Sequence, residues 1–416
     1  AFVFRLATGL ASWGALALFV KTTLPWLATE RDKLLHLRVA TLLGFLPYLF
    51  VRTSSETLSM ATFTAAWAIV LAGAEPGWRV TPSLGRLAFA GVLIGVAFEA
   101  RFQSAILAVG LAAWLFVVAR VRLRLVALVV PALAVVALSL FVDRWGYGVW
   151  TFPPWTYVQA NLLEGAASLF GADPPFAYLW ASPANLFAPI VIVLLVLAVL
   201  AWLRNPRHPV TWTTLPFFVV HNLLSHKEER FLFPMAILAT AFVTMALGSS
   251  PEKPRAERFA SWLRRRTVTA RVLAVWSTAF MLFLAFWPLG WHHHIRFMKH
   301  VHDAVGADFR AMALLDYDLG LPAFHGRVYD IKKGSPEDIA RAIEDGTART
   351  WLVVDTPRLH TGVPGLDDHA TLVWSELPLW DRPEGNTILA LTDAYDAHAK
   401  PPLRPIRYRS LYRLEK

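Results

Sequence analysis

The most chemically loaded stretch of the sequence is Ser225-His226-Lys227-Glu228-Glu229-Arg230-Phe231-Leu232-Phe233-Pro234. Five ionisable side chains, His226 to Arg230, stand in a row between two apolar runs. Each charge costs about 2.5–3.5 kcal/mol at a bilayer centre by insertion scales, so the run belongs at an interface or in a wet cavity. The plain alternative to a functional site is a solvated hairpin tip whose opposite charges pair with one another. Other residues invite chemistry less strongly. His292-His293-His294 has the residue type of a metal site, but adjacent His residues on one turn point in different directions, so a solvated interfacial turn is expected. Asp316-Tyr317-Asp318 has the spacing that holds a divalent ion on a diphosphate, and a match of three residues arises readily by chance. No metal and no cofactor are expected. Charges at the edges of apolar runs, such as Glu56, Glu99, Arg101 and Glu228, would suit the path of a transporter. The repeats and matched Gly/Pro-broken segments of a transporter are absent from the sequence.

These residues must be positioned by a membrane domain. Hydrophobic residues make up 56% of the 416, charged ones only 17%, and the mean hydropathy is +0.45. A water-facing surface needs roughly a quarter charged residues, so a soluble globular chain is excluded. A spanning helix takes about 20 apolar residues. Candidate spans cover residues 6–25, 38–51, 57–74, 85–99, 102–119, 123–142, 186–203, 210–225, 231–248 and 271–290, some of them short enough to be tilted, broken or re-entrant. The net charge of +10 is concentrated in short clusters between these runs: Arg31, Lys33 and Arg38; Arg79 and Arg86; Arg120, Arg122 and Arg124; Arg204 and Arg207; and Lys253 to Arg271. This is the pattern of cytoplasmic loops and not of a nucleic-acid groove. With ten spans, all five clusters fall on one face. The opposite face receives residues 52–59, the turn at Arg101, the loop 143–185, the turn 225–230 and everything after 291. The first residues read like the middle of a span, so a preceding native segment is expected. Cysteine is absent, which excludes disulfides and thiolate metal sites. No Asn-x-Ser/Thr sequon occurs, which favours a bacterial inner membrane over the endoplasmic reticulum membrane that a eukaryotic protein of this kind would occupy.

The chain divides into a membrane domain at 1–295 and a small non-cytoplasmic α/β domain at 296–416. Ser335-Pro336-Glu337-Asp338 is a capping box with Pro at the first helical position, and it predicts a helix to about Asp345. Strands are expected at Gly326–Ile331, Thr350–Val354, Thr387–Leu391 and Ser410–Leu414.

The string His226-Lys227-Glu228-Glu229-Arg230-Phe231 resembles the hallmark of glycosyltransferase family 22, the lipid-linked mannosyltransferases of GPI-anchor and N-glycan precursors. Other stretches agree in content and order. Arg52-Thr53-Ser54-Ser55-Glu56-Thr57 resembles that family's Arg-Thr-x-Ser-Asn-Ser/Thr segment, with Glu56 in place of Asn. Arg101-Phe102-Gln103-Ser104-Ala105 resembles its Arg-Pro-Thr-Ala element, with Phe102 replacing Pro. Asp143 to Thr151, including Tyr147, Gly148 and Trp150, is similar to its Asp-x-x-x-Tyr-Gly-x-Trp-Thr loop, which continues to Asn161 and to Phe170-Gly171-Ala172-Asp173-Pro174-Pro175. All of these fall on the face opposite the positive clusters.

The resemblance implies a GT-C type helical bundle that transfers a hexose, mannose by this family's habit, from a polyprenyl-phosphate sugar to a lipid-linked or envelope glycan with inversion. Partners would be that donor, a glycan or glycolipid acceptor and the bilayer, without nucleic acid. Cations must neutralise the departing phosphate, and His226, Lys227, Arg230 and Arg101 are the candidates. Arg suits planar bidentate contact, whereas Lys acts as a point charge. Arg52, Glu56, Gln103, Tyr147, Trp150 and Asn161 would bind substrate, and Trp145, Trp155 and Trp180 could stack on sugar or simply anchor the loop at the interface. A carboxylate must take the acceptor's proton. The family places it in a loop preceding the span at 6–25; Glu228, Glu229 and Asp143 are the candidates here, with Glu228 and Glu229 as orienting partners of Lys227 and Arg230. An inactive relative lacking the base is the remaining alternative.

Overall fold

The computed structural model describes residues 2–75, 77–165, 172–179, 188–248, 267–286, 297, 299–300, 310–314, 323–324, 327–328, 330–345, 351–356, 369–375 and 408–414. Contacts divide the chain into two units, Ala1–Phe286 and Trp287–Lys416.

The first unit is helical. Each apolar run carries helix, while α2 begins before its run and α8 lies in the 143–185 loop: α1 Phe2–Thr23, α2 Glu30–Leu42, α3 Phe45–Phe50, α4 Ser55–Leu71, α5 Leu84–Ala100, α6 Ser104–Val117, α7 Val126–Tyr147, α8 Pro153–Val158, α9 Ala188–Arg204, α10 Pro209–Leu223, α11 Ala236–Ala239, α12 Ala241–Leu247 and α13 Thr267–Phe286. Among the described residues, the segments Phe2–Trp26 and Arg122–Tyr147 are long and apolar enough to cross a membrane. The pair Glu229–Ala239 and Ala241–Leu247, bent by 60°, makes a third candidate.

The run at 38–51 is not one helix. It breaks at Gly44, where a Cβ would come 2.1 Å from the Ser277 carbonyl oxygen of α13. The Ser277 hydroxyl takes the Gly44 N–H at 2.7 Å and donates to the Leu42 carbonyl at 2.8 Å, which closes the broken ladder. The run at 231–248 is also divided, because Glu229–Met235 winds as a 3₁₀ turn around Pro234 before α11 begins.

Helix α4 is central. Met60, Phe63, Ala66, Trp67, Val70 and Leu71 are completely enclosed, as are Ser59 and Thr64. A helix apolar all round belongs in such a position. Trp67 donates to Thr213 of α10, and Trp202 of α9 donates to Thr214, so each indole N–H is satisfied within the core. Gly110 of α6 lets α10 approach, since a Cβ there would lie 2.3 Å from the Trp212 carbonyl oxygen. Helix α7, by contrast, buries only Leu128 among its described residues and presents Leu133, Leu138 and Phe141 outward, as a lipid-facing helix does.

The second unit carries a five-stranded sheet, ordered β4 (Asp330–Lys333), β1 (Arg310–Leu314), β5 (Trp351–Thr356), β7 (Tyr408–Leu414), β6 (Ala370–Ser375). Strands β4, β1 and β5 are parallel, and β7 is antiparallel to both of its neighbours. A separate antiparallel pair joins β2 (Ala323–Phe324) to β3 (Arg327–Val328). Helix α14, Pro336–Glu344, links β4 to β5 and opens with the expected capping box: Ser335 accepts from Asp338 N–H, and Asp338 accepts from Ser335 N–H. Ile339 of α14 buries against Met312, Leu352, Val354 and Tyr412. Strands β1, β2 and β6 are additional to those read from the sequence. The expected strand at Thr387–Leu391 lies outside the described residues, as do His292–His294, Asp316–Asp318, Trp180, Phe170–Gly171 and Arg264–Arg266.

Candidate active site

The charged run sits where α10 ends and the 3₁₀ turn begins. Glu228 caps that turn with extended backbone, φ −134° and ψ 142°. Its carboxylate is held by three donors: Arg230 Nη2 at 2.8 Å on Oε1, Arg230 Nε on Oε2, and His226 Nε2 at 3.1 Å on Oε1. The Arg230 contact is a bidentate fork. Burial works against the charged form of Glu228, but the hydrogen bonds from Arg230 and His226 outweigh it and hold the carboxyl below its ordinary range. The same bonds to Glu228 raise Arg230 above its ordinary value.

The backbone here is fixed from 50 residues away. The Tyr178 hydroxyl donates to the Glu228 carbonyl at 2.8 Å and accepts the Glu228 N–H at 3.1 Å. Lys227 donates to the Asp173 and Leu224 carbonyls, so it ties the loop at 172–179 to the turn. Burial lowers its ammonium below the ordinary lysine value.

Two further elements bring charge to the same place. Glu56 stands in the first turn of α4, where the Ser54 hydroxyl accepts the Thr57 N–H and the helix N-terminus favours an anion. Its side chain is buried and meets Arg101 Nη1 at 3.3 Å and Arg230 Nε at 4.0 Å. Arg101 ends α5. Its guanidinium lies 4.9 Å from the Phe231 ring centroid, and that of Arg230 lies 5.8 Å from the same ring. The His226 ring meets Phe231 edge-on at 5.9 Å. Phe231 is therefore the surface around which His226, Arg101 and Arg230 gather.

Arg101 differs from Arg230 in what remains of its donors. Its Nη1 faces Glu56, while Nε and Nη2 are buried without a hydrogen-bond partner among the described residues. Those two atoms form one edge of the guanidinium, the edge that grips two oxygens of a phosphate or carboxylate. An unmet buried donor costs about 1–3 kcal/mol, so these two atoms are the donors of the cluster with capacity to spare. Nearby, the last turn of α10 buries two unmatched acceptor-capable atoms, His221 Nε2 and Asn222 Oδ1.

The remaining expected site residues divide. Gln103 donates to Tyr157 at 3.1 Å, and Tyr157 acts electrostatically on Arg230, so both border the cluster. Arg52 reaches the Tyr48 hydroxyl at 3.3 Å and stacks on Tyr48 and Phe233. Asn161 donates to the Tyr157 carbonyl of its own helical turn. Tyr147 and Trp150 are exposed, and Trp150 packs edge-on against Phe141. Arg144, the neighbour of Asp143 in the chain, donates to the Gly148 carbonyl. Among the described residues, no hydrogen bond or ion pair joins Asp143, Tyr147, Trp150 or Asn161 to the cluster. Glu229 opens the 3₁₀ turn. No three His, Asp or Glu side chains converge as a metal site among the described residues. A cavity of about 290 Å³ lies elsewhere, lined by Leu18, Lys21, Trp26, Ile69 and Arg86. Its walls are mostly apolar and Arg86 is engaged by backbone carbonyls, so it is not the charged site.

The sequence profile of the Alg9-like mannosyltransferase family matches residues 25–316, a range that contains the whole charged cluster. Among curated relatives, the GPI alpha-1,2-mannosyltransferase 3 of Xenopus laevis is 29% identical over 113 residues, 26% of this chain and 20% of the relative. The GPI mannosyltransferase 3 of Yarrowia lipolytica is 26% identical over 172 residues, 41% of this chain and 33% of the relative. A probable Dol-P-Man:Man(7)GlcNAc(2)-PP-Dol alpha-1,6-mannosyltransferase of Schizosaccharomyces pombe is 28% identical over 101 residues, 24% of this chain and 18% of the relative. The chain thus spans about a fifth to a third of the length of the curated relatives it matches. Among solved structures, ArnT from Cupriavidus metallidurans in the apo state is 12% identical, with a TM-score of 0.45 over 98% of this chain and 83% of that one. On the family profile, which covers well over half of its residues, the chain belongs to the Alg9-like mannosyltransferase family.

Proposed function

We propose that this chain is a membrane mannosyltransferase of the GT-C type, with about ten spans, that moves mannose from a polyprenyl-phosphate carrier to a glycan acceptor. The observation that carries the reading is the buried, unmatched Nε/Nη2 edge of Arg101, set beside Arg230, His226 and Glu56. A sugar leaving a phosphate builds negative charge on the phosphate oxygens, and a preorganised guanidinium edge stabilises that charge as it forms. Family membership supports mannose as the sugar, and the Dol-P-Man named for the fission-yeast relative supports a lipid-phosphate donor.

In the reaction, the bond between the anomeric carbon and the phosphate oxygen breaks, and an acceptor hydroxyl attacks from the opposite side with loss of its proton. Arg101 takes the phosphate. Glu228, whose two oxygens are held by Arg230 and His226, acts as an orienting carboxylate and not as the proton acceptor. Asp143 and Glu229 remain the candidates for the base within the chain. The charge clusters support a site on the non-cytoplasmic face, which in a bacterium is the periplasmic side of the inner membrane.

The test is transfer of labelled mannose from polyprenyl-phosphate mannose by the full chain in proteoliposomes. Arg230→Ala and Glu228→Ala should each reduce transfer by about 100-fold or more while the thermal unfolding profile is kept. Undiminished transfer in either variant would remove the site from the mechanism. A transporter reading predicts sugar movement without a new glycosidic bond, which the same assay separates.

A further inference from the structure

We propose that the cleft between the ends of α1 and α4 binds an anionic phospholipid of the cytoplasmic leaflet. Its acyl chain would enter the cavity of about 290 Å³ and its headgroup would meet Lys21 and Arg86. The choice of leaflet rests on the sidedness proposed above, whereas the binding is independent of the phosphate role given to Arg101. The cavity follows from the residues that end α4. Ala68, Ala72, Gly73 and Ala74 all line it, and groups this small leave the space beside α1 unfilled. The Thr22 hydroxyl donates to the Ala68 carbonyl at 3.2 Å, which joins α1 to α4 at the cavity wall. The volume is near the lower bound of small-molecule sites, about 300 Å³, and suits part of one lipid.

The charge around this apolar space has one sign. Two cations line it and no carboxylate does; Glu75, next in the chain to Ala74, is not in the lining. Neither Lys21 nor Arg86 has an ion-pair partner among the described residues. Arg86 commits Nε and Nη2 to the Ile69 and Ala72 carbonyls, and its Nη1 makes no hydrogen bond among the described residues. Trp26 supplies a further donor. The indoles of Trp67, Trp114, Trp202 and Trp212 donate within the protein, whereas that of Trp26 makes no hydrogen bond among the described residues. Lys21 and Trp26 stand at one end of Phe2–Trp26, a segment long and apolar enough to cross a membrane, and so at headgroup depth. A lysine in a last helical turn is accounted for by the helix dipole, but an apolar cavity beside it is not. Near a membrane surface each Lys or Arg strengthens the attraction of anionic lipid about 5-fold, and two unpaired cations favour a headgroup whose negative charge is not cancelled.

The experiment takes the full chain from nanodiscs of phosphatidylglycerol and phosphatidylcholine in equal amounts into detergent. Native mass spectrometry then counts the lipid that stays bound. The unaltered chain should keep phosphatidylglycerol over phosphatidylcholine by about 10-fold. K21M, which retains the apolar stem, should lower that preference about 5-fold, and K21R should keep it. A72L, which fills the cavity, should lose the retained lipid. R124M removes a cation of another cluster and should change nothing. An unchanged preference in K21M would overturn the proposal. An equal fall in K21M and R124M would show diffuse attraction to a basic surface, and retention in A72L would put the lipid elsewhere; either result overturns it as well.

Discussion

The two ends of helix α5 carry one arginine each, about 22 Å apart along the axis, and the two are treated in opposite ways. Arg86, in the first turn, donates through Nε and Nη2 to the Ile69 and Ala72 carbonyls, which terminate α4. It is a helix cap, with that edge of its guanidinium matched. Arg101, at the other end, leaves the same edge unmatched inside the protein. Helix α10 repeats the contrast with histidine. At its start, His208 Nδ1 accepts the Val210 N–H, and the ring packs edge-on against Trp26 and Trp78. Near its end, His221 Nε2 is buried with no hydrogen-bond partner among the described residues. Arg86 and His208 finish helices; Arg101 and His221 do not. The residue types alone do not distinguish the two ends, whereas the donor and acceptor inventory does.

The largest effect that sharpens this contrast comes from the paired replacements of the two arginines. Arg101→Ala should lower transfer by about 100-fold to 1,000-fold with unfolding temperature unchanged. A loss of similar size in Arg86→Ala at equal folded fraction would break the comparison. Next comes acidity. Because the Glu228 carboxyl sits below its ordinary range in the folded chain, its arrangement with Arg230 and His226 is complete above the ordinary glutamate range and is lost as pH falls through the lowered value. A rate profile should therefore show an acid limb at low pH, and Glu228→Gln should keep a reduced rate, about 10-fold down, without that limb. Arg86→Ala should instead appear as a stability loss of about 1–3 kcal/mol in denaturant or thermal unfolding, because buried carbonyls lose their donor. The smallest effect is expected from His208→Ala, about 1 kcal/mol for loss of a helix cap, with donor affinity unaltered in a binding titration.

The helices could be read from the sequence because apolar length is a local property, and each marked run carries at least part of a helix. Their breaks could not. Gly44 interrupts its run because of Ser277, more than two hundred residues later, and no window of sequence contains both. In the second unit the capping box at Ser335 was plain, since all its parts lie within four residues. Strand β1, Arg-Ala-Met-Ala-Leu, is built of good helix formers, and its strand state comes from pairing with β4 and β5 on either side. Strand β6 alternates in burial, but its Leu372-Val373-Trp374 run is apolar throughout, so the sequence does not show that period. At the site, the charged run from His226 to Arg230 announced itself. The Tyr178 clamp on Glu228 did not, because its only sequence sign is one aromatic residue in a loop. The idle edge of Arg101 depends on a rotamer and on what surrounds it, and residue order encodes neither in readable form.

The division of residues 229–247 into a 3₁₀ turn and two short helices bent by 60° bears on how the chain enters its bilayer. A hydrocarbon core is about 30 Å thick, and the 15 residues of α10 rise only about 22 Å. Neither limb of this hairpin is a convincing stop-transfer signal, and the tip between them carries five ionisable groups. Insertion is therefore expected to be concerted, with α10 and the bent segment at 229–247 partitioning together as one hairpin. Truncations that end between α10 and α12 should leave the tip on the side of synthesis in a topology-mapping assay, and longer ones should deliver it across. The fold would thus delay completion of its charged site until the surrounding helices can shelter it.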